Sequence, residues 1–93
     1  MPMEYFDWSE EKNQQLKSER DVCFEEIVIA IEAKKLLAIE AHTGEKFAHQ
    51  QQLIVEISEY VYLVPFIYNG KKVFFKTIIP SRKATKKYLS RKE

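Results

Sequence analysis

The chain of 93 residues has a single cysteine, two glycines and three prolines. Cys23 has no second cysteine with which to form an internal disulfide or hold a metal cluster. Glycines at only two positions, Gly44 and Gly70, exclude a glycine-rich phosphate-binding loop. No apolar run approaches the ~20 residues of a membrane span, and the first residues are acidic rather than those of a signal peptide. We therefore expect a cytoplasmic protein without membrane contact.

Charge is divided unevenly along this chain. Hydrophobic residues make up 45% of it and aromatic residues 13%, which favours one folded domain over residues 1–93 rather than a disordered chain. Residues 1–70 carry six Lys/Arg and thirteen Asp/Glu, whereas residues 71–93 carry nine Lys/Arg and one Asp/Glu. This asymmetry predicts an anionic partner, either nucleic acid or an acidic protein, for a local groove or pocket in the last quarter.

Two helices are predicted in the first third. Residues 9–20 begin with Ser9, a favourable N-cap, and place Glu10 and Glu11 in the first turn, where negative charge suits the helix dipole. Leu16 is the clear apolar anchor of this polar helix. Residues 22–35 form the second helix, whose apolar side has helical spacing. Its members are Phe24, Ile27, Val28 and Ile31, with Ile29 widening the stripe.

The remaining chain changes to the period of strands. Strands are expected at residues 36–41, 52–58, 60–68 and 72–79, with a polar loop at 42–51. Ser58-Glu59 and Asn69-Gly70 are the expected hairpin turns, and Asn-Gly is the stronger of the two signals. After Pro80, residues 82–92 form a last helix capped by Ser81. The prediction is an α+β fold with two N-terminal helices, a three- to four-stranded antiparallel meander and a C-terminal helix.

The predicted second hairpin sorts its side chains onto two faces of the sheet. A two-residue Asn69-Gly70 loop pairs Tyr68 with Lys71, Val64 with Phe75 and Leu63 with Lys76. Lys72, Phe74, Lys76 and Ile78 then share the less buried face. Val73, Phe75, Thr77 and Ile79 share the core face.

Cations cluster at the end of this hairpin and on the last helix. Arg82, Lys83, Lys86 and Lys87 follow Lys72 and Lys76. Together with an aromatic such as Phe74, such a face can hold RNA through phosphate contacts and base stacking. Each feature also has a plainer explanation. Mid-strand lysines protect sheets from aggregation, a basic helix can simply be solvated, and Trp8 can be a packing residue.

The sequence has few residues in patterns typical of a metal site or of a catalytic nucleophile. His42 and His49 lie seven apart in one loop, near Glu40 and Glu45, without a spacing typical of zinc ligands. We therefore predict no metal and no cofactor, and no nucleophilic triad is apparent.

Three segments together are similar to one family. "FDWSEEK" at 6–12, "VCFEE" at 22–26 and "IIPSRKATKKY" at 78–88 resemble the BrnT family of bacterial toxins, in order and spacing, over about 80 residues. The matching positions are Trp8, Lys12, Phe24, Glu25, Glu26, Arg82 and Ala84. Arg20 stands where the family has a histidine.

The resemblance implies a single RelE-like toxin domain of a type II toxin–antitoxin system. It also implies a metal-independent endoribonuclease that cleaves RNA and arrests translation, and neutralisation by a DNA-binding antitoxin. A homodimer or a toxin–antitoxin heterotetramer is the expected assembly. The cation cluster and the motif match together suggest the roles of individual residues. Arg82 is expected to bind the phosphate, with support from Lys76 and Lys12. Arg20 is expected to stabilise charge as a second cation, and His49 to transfer a proton. The expected RNA-binding residues are Trp8, Lys72, Phe74, Lys83 and Lys86.

Two other functions compete with this hypothesis. The same cationic face can serve a non-catalytic interaction protein that binds an antitoxin-like partner or RNA. A DNA-binding regulator is weaker, because no helix-turn-helix is apparent and the first helices are acidic.

Overall fold

The computed structural model describes residues 5–41 and 51–89 of the chain, arranged as helices on both faces of one sheet. Its helices are α1 (Glu10–Arg20), α2 (Phe24–Glu32) and α3 (Arg82–Leu89). Its strands are β1 (Phe6–Asp7), β2 (Leu36–Ala41), β3 (Gln51–Ile57), β4 (Tyr60–Asn69), β5 (Lys72–Phe75) and β6 (Ile79–Pro80). The α+β class is confirmed.

The sheet is mixed rather than purely antiparallel, which corrects the prediction. Its order is β1-β5-β4-β3-β2, and β6 pairs with β4 beside β5. The four central strands pair antiparallel as neighbours in the chain, but β1 pairs parallel with β5, with Phe6 beside Val73. Sequence periodicity missed β1, because two residues are too few to show an alternation.

The two N-terminal helices are joined through a buried asparagine. The Ser9 side chain caps α1, as expected, and Asp21 ends it in the left-handed conformation. Asn13 has no exposed surface. Its Nδ2 donates to Glu25 Oε1 at 2.8 Å, and its Oδ1 accepts from the Phe24 backbone N–H at 2.8 Å. Asn13 thereby caps α2, which begins at Phe24 rather than at residue 22.

The main core lies between these helices and the first face of the sheet. Phe24, Ile27 and Val28 of α2 are fully buried, and Leu16 anchors α1. The side chains that they cover on this face are Leu53, Val55, Val64, Phe66 and Phe75. The prediction that Ile29 widens the apolar stripe is wrong, since this side chain is 61% exposed. It points away from the sheet because it lies off the i, i+3, i+4 positions that face it.

Two hairpin turns connect the central strands, and one of them differs from the prediction. Ser58 and Glu59 form the expected turn, both with positive φ, between paired Ile57 and Tyr60. The second loop is Gly70-Lys71 rather than Asn69-Gly70, because Asn69 pairs with Lys72. This two-residue slip leaves the side chains of residues 72–75 on their predicted faces, since the side-chain period of a strand is two.

The predicted strand 72–79 is interrupted by a β-bulge. Phe75 pairs with Phe66 and Ile79 pairs with Leu63, so residues 76–78 lie opposite only two residues of β4. The extra residue reverses the alternation beyond it. Ile78 is consequently buried in the main core, while Ile79 is 39% exposed. The predicted placement of these two isoleucines, with Ile79 on the core face, is wrong.

A smaller core lies on the second face of the sheet, beneath α3. Ala84 of α3 is buried against Ile54 and Val61, with Leu63, Leu37 and Ala38 around them. The predicted last helix is thus confirmed over Arg82–Leu89.

Candidate nucleic-acid interface

Short polar side chains fix α3 on the second face. Ser81 N donates to Val61 O at 3.0 Å, which continues the pairing of β6 with β4 into the helix start. Ser81 Oγ accepts from Ala84 N at 3.0 Å and so caps α3 as predicted. Thr85 Oγ1 accepts from Val61 N at 2.9 Å and donates to Ser81 O at 2.7 Å. The small Ala84 lets the helix approach the strands closely.

A groove of about 300 Å³ runs between α3 and the strands β2, β3 and β4. Its floor is apolar, with Ile54, Leu63 and Ala84. Its walls are polar and carry both signs of charge. The polar lining residues are Glu40, Gln52, Ser81, Lys83, Lys87 and Tyr88. A groove with an apolar floor and charged walls suits a ligand that has both a flat apolar group and an anionic group.

Glu40 and Tyr88 form a hydrogen-bonded pair in this groove. The Tyr88 hydroxyl donates to Glu40 Oε2, and Lys87 Nζ lies 3.7 Å from the same oxygen. The hydrogen bond from Tyr88 and then the nearby Lys87 charge lower the pKa of Glu40. The same bond raises the pKa of Tyr88, since it favours the phenol over the phenolate. Folding therefore favours the carboxylate form of Glu40 and the phenol form of Tyr88, and the side chains of Lys83 and Lys87 line the same groove.

Several of the predicted RNA-binding residues lie on this side of the sheet. Lys72 and Phe74 have the orientation opposite to that of buried Phe75, so they face the α3 side. Lys72 is exposed and Phe74 is half-buried beside Ile67. Lys76 is exposed at the start of the β-bulge, and its backbone N–H donates to Pro65 O at 2.8 Å.

Of the four predicted cations of the last helix, Lys87 contacts Glu40 and the other three are exposed. Arg82, Lys83 and Lys86 are exposed on α3, and Lys83 lines the groove. Arg82 is the first residue of α3. It lies outside the groove lining, so its expected role at a phosphate stays a prediction.

The other predicted site residues belong to the opposite layer. Trp8 is half-buried, and its ring stacks on Phe24 at 5.5 Å and on Phe75 at 6.0 Å between centroids. Lys12 is on α1. Arg20, at the end of α1, donates from Nη1 to the Ile78 carbonyl and so holds the β-bulge. The structure does not bring these three residues into the groove. His49, His42 and Glu45 lie outside the described residues.

Sequence reasoning missed Glu40 and Tyr88 as a pair. Glu40 is on the second face of β2, since it pairs with Gln52 and Ala38 pairs with Ile54. Tyr88 follows Ala84 by one helical turn, so both lie on the side of α3 that meets the sheet. That spacing was visible in the sequence. Their proximity was not, because 48 residues separate them.

Neither a metal centre nor a membrane span is found in the described part. Over residues 5–41 and 51–89 no three His, Cys, Asp or Glu side chains are grouped closely enough to hold a metal ion. No helix there is long and apolar enough to cross a membrane. Comparisons with protein-family models, curated proteins and solved structures found no match to this chain.

Proposed function

We propose that this protein binds single-stranded RNA on its α3 side and cleaves it without a metal ion. The observation that carries the proposal is the groove in which the Glu40–Tyr88 pair lies beside Lys83 and Lys87. Metal-independent cleavage of RNA needs a base for the 2′-hydroxyl, an acid for the leaving oxygen and cations for the phosphate. The groove supplies one carboxylate, one phenol and two lysines.

Phosphate binding is assigned to the lysines of α3. Lys83 and Lys87 are one helical turn apart and line the same groove. They would neutralise the charge that builds on the phosphate oxygens as the reaction proceeds. Phe74, with Ile67 beside it, offers a flat apolar surface on which a neighbouring base could stack, and Lys72 lies on the same face.

The reaction would be an internal transesterification. The Glu40 carboxylate takes the proton of the 2′-hydroxyl, and the 2′-oxygen forms a bond to phosphorus. The bond from phosphorus to the 5′-oxygen breaks, and that oxygen takes the proton of Tyr88. Glu40 then returns a proton to Tyr88 along their existing hydrogen bond. The products are a 2′,3′-cyclic phosphate and a 5′-hydroxyl, and no water or cofactor is consumed.

A toxin role is part of the same proposal and is supported by the resemblance to the BrnT family. An endoribonuclease of this kind would arrest translation, and a DNA-binding antitoxin would be its partner. The helices on both faces of a small sheet are compatible with a RelE-like domain. Expression of the intact chain in bacteria, with growth and RNA integrity followed together, tests this part separately from the chemistry.

The decisive experiment measures RNA cleavage in chelator by the wild type and by Glu40→Gln. Glu26→Gln is the matched control, since Glu26 is an exposed carboxylate on α2. The proposal expects cyclic-phosphate ends from the wild type and the control, and a loss of at least about 100-fold for Glu40→Gln. Equal cleavage by all three proteins would remove Glu40 from the reaction.

Binding without catalysis is the second candidate. One observation favours it: Glu40 is engaged by both Tyr88 and Lys87, and its lowered pKa makes it a weaker base. In this case a gel shift with RNA would be seen while the RNA stays intact in chelator. The α3 side would then be a docking surface for RNA or for an acidic partner.

A further inference from the structure

Two adjoining apolar cavities open on the first face of the sheet, near Ile31 at the end of α2. The inner cavity has a volume of about 100 Å³ and reaches down to Leu53, which is only 4% exposed. The outer cavity has a volume of about 280 Å³ and extends to the turn between β4 and β5. Phe6, Tyr68 and Val73 line both cavities, so the two form one furrow with a floor of core side chains.

The lining of the furrow is apolar except at its outer end. In the inner cavity Tyr68 carries the one polar side-chain group among the described lining residues. The outer cavity adds Tyr5 and also Lys71, which lies in the turn between β4 and β5. Among the described residues that line the two cavities, none is acidic. A lysine at the open end of an apolar site favours a ligand that has an apolar body and an anionic end.

The size of the inner cavity indicates the shape of the apolar body. An apolar cavity of about 150 Å³ is large enough to hold benzene and stays dry when empty. The inner cavity is smaller, so it suits an unbranched alkyl chain better than a ring. At the outer end, Tyr5 is 49% exposed and Tyr68 is 66% exposed, so apolar ring surface faces solvent there. An alkyl chain that runs between these rings would remove apolar surface from water along its whole length.

We propose that the furrow binds an unbranched alkyl carboxylate of the fatty-acid class. The end of the tail lies in the inner cavity, the middle crosses the row formed by Phe6, Val73 and Tyr68, and the carboxylate lies beside Lys71. This binding does not rest on the proposed RNA chemistry, because α3 and its groove are on the second face of the sheet.

Amide NMR spectra of the intact chain, recorded while octanoate is added below its micelle concentration, test the proposal. The signals of Phe6, Tyr68 and Val73 are expected to shift until binding saturates, while that of Ala84 in α3 stays in place. Octan-1-ol has the same tail without the charge and should bind about threefold more weakly. Octyltrimethylammonium, with a cationic end, should bind more weakly still. Hexanoate, whose tail is two methylene groups shorter, should bind about tenfold more weakly than octanoate.

Two variants separate the contribution of the charge from that of the apolar wall. Lys71→Gln should weaken octanoate binding about threefold and leave octan-1-ol binding unchanged. Lys72→Gln is the matched control, since Lys72 is exposed on the other face of the same hairpin, and it should change neither. Tyr68→Ala should weaken both ligands, because it removes a wall of both cavities. Circular dichroism of each variant checks that the fold is retained, as expected for exposed side chains.

Three results would overturn the proposal. The first is a titration in which octanoate leaves the signals of the first face unmoved. The second is a set of shifts confined to α3, which would mean that the anion is attracted by the lysines of that helix. The third is an octanoate affinity that is the same in the wild type and in Lys71→Gln.

Discussion

The hydroxyl of Tyr88, near the end of α3, donates a hydrogen bond to the carboxylate of Glu40 in β2, across 48 residues of sequence. This bond ties the last helix to the edge of the sheet and places an acid beside a base. Lys87 lies 3.7 Å from the same carboxylate but is 66% exposed on its side chain, so it is screened by solvent. The hydrogen bond is the main reason for the altered pKa of both partners.

The Glu40–Tyr88 pair predicts that the free energy of unfolding falls both at low pH and at high pH. Because the pKa of Glu40 is lowered by folding, its contribution is present above the ordinary carboxyl pKa and is lost as pH falls through the lowered value. Because the pKa of Tyr88 is raised, its contribution is present below the ordinary phenol pKa and is lost as pH rises through the raised value. In Tyr88→Phe, the free energy of urea unfolding should depend less on pH in both ranges. The pKa of Glu40, followed by NMR, should rise in this variant. Tyr68→Phe, a change at an exposed tyrosine, should alter neither.

Replacing Asn13 by alanine is predicted to lower the stability of the protein. Asn13→Ala would leave the Phe24 N–H and the Glu25 carboxylate without their partner at the joint of α1 and α2. Leaving the buried Phe24 N–H unsatisfied costs about 1–3 kcal/mol, whereas Glu25 is half-buried, so urea unfolding should show a loss of roughly 1–3 kcal/mol. Gln14→Ala, one position along on the exposed side of α1, should cost less than about 0.5 kcal/mol. Similar losses for the two variants would mean that Asn13 does not cap α2.

Much of this fold follows from local sequence signals. Ser9 caps α1, the Phe24, Ile27 and Val28 stripe faces the sheet, and Ser58-Glu59 forms its hairpin. Each of these depends on side chains within a few residues of one another, so a single sequence contains the necessary information. The alternation of Leu53, Val55 and Ile57 likewise predicts the strand β3 from neighbouring residues alone.

The pairing register between strands cannot be predicted from local sequence signals. The extra residue at 76–78 is visible only when β5 and β6 are both paired with β4. Arg20, 58 residues away from Ile78, holds that bulge through a carbonyl. For the same reason the groove was predicted only in part. Its lysines are local to α3, but Glu40 comes from the distant edge strand.

The β-bulge predicts which of two adjacent isoleucines matters for stability. Ile78 is fully buried and Ile79 is 39% exposed, the reverse of a regular strand. Ile78→Ala should cost about 2–5 kcal/mol in chemical unfolding, because it leaves a cavity in the main core. Ile79→Ala should cost less than about 1 kcal/mol. If Ile79→Ala were the more damaging change, residues 72–79 would have to pair with β4 without the extra residue.

The turn at Ser58-Glu59 predicts a stabilising substitution. Glu59 has a φ of 66°, a left-handed conformation that costs a residue with a side chain roughly 1–2 kcal/mol. Glycine is free of that cost but loses more entropy on folding, so Glu59→Gly should raise the free energy of unfolding by about 0.5–1 kcal/mol. Gly70 also has a φ of 66°, and Gly70→Ala should lower stability by a similar amount. Thermal unfolding of the two variants checks both signs in one experiment.

For the proposed RNA binding, the dependence on salt concentration should distinguish the α3 side from the rest of the surface. Each phosphate neutralised on single-stranded RNA contributes a slope of about −0.7 in the logarithm of the binding constant against the logarithm of salt concentration. Lys83→Ala and Lys86→Ala should each make the measured slope less steep by about that amount, since both side chains are exposed on α3. Lys17→Ala, at an exposed lysine of α1, should leave the slope unchanged because α1 covers the opposite face. Equal effects from all three lysines would indicate that RNA is attracted by overall charge alone, without a preferred face of the sheet.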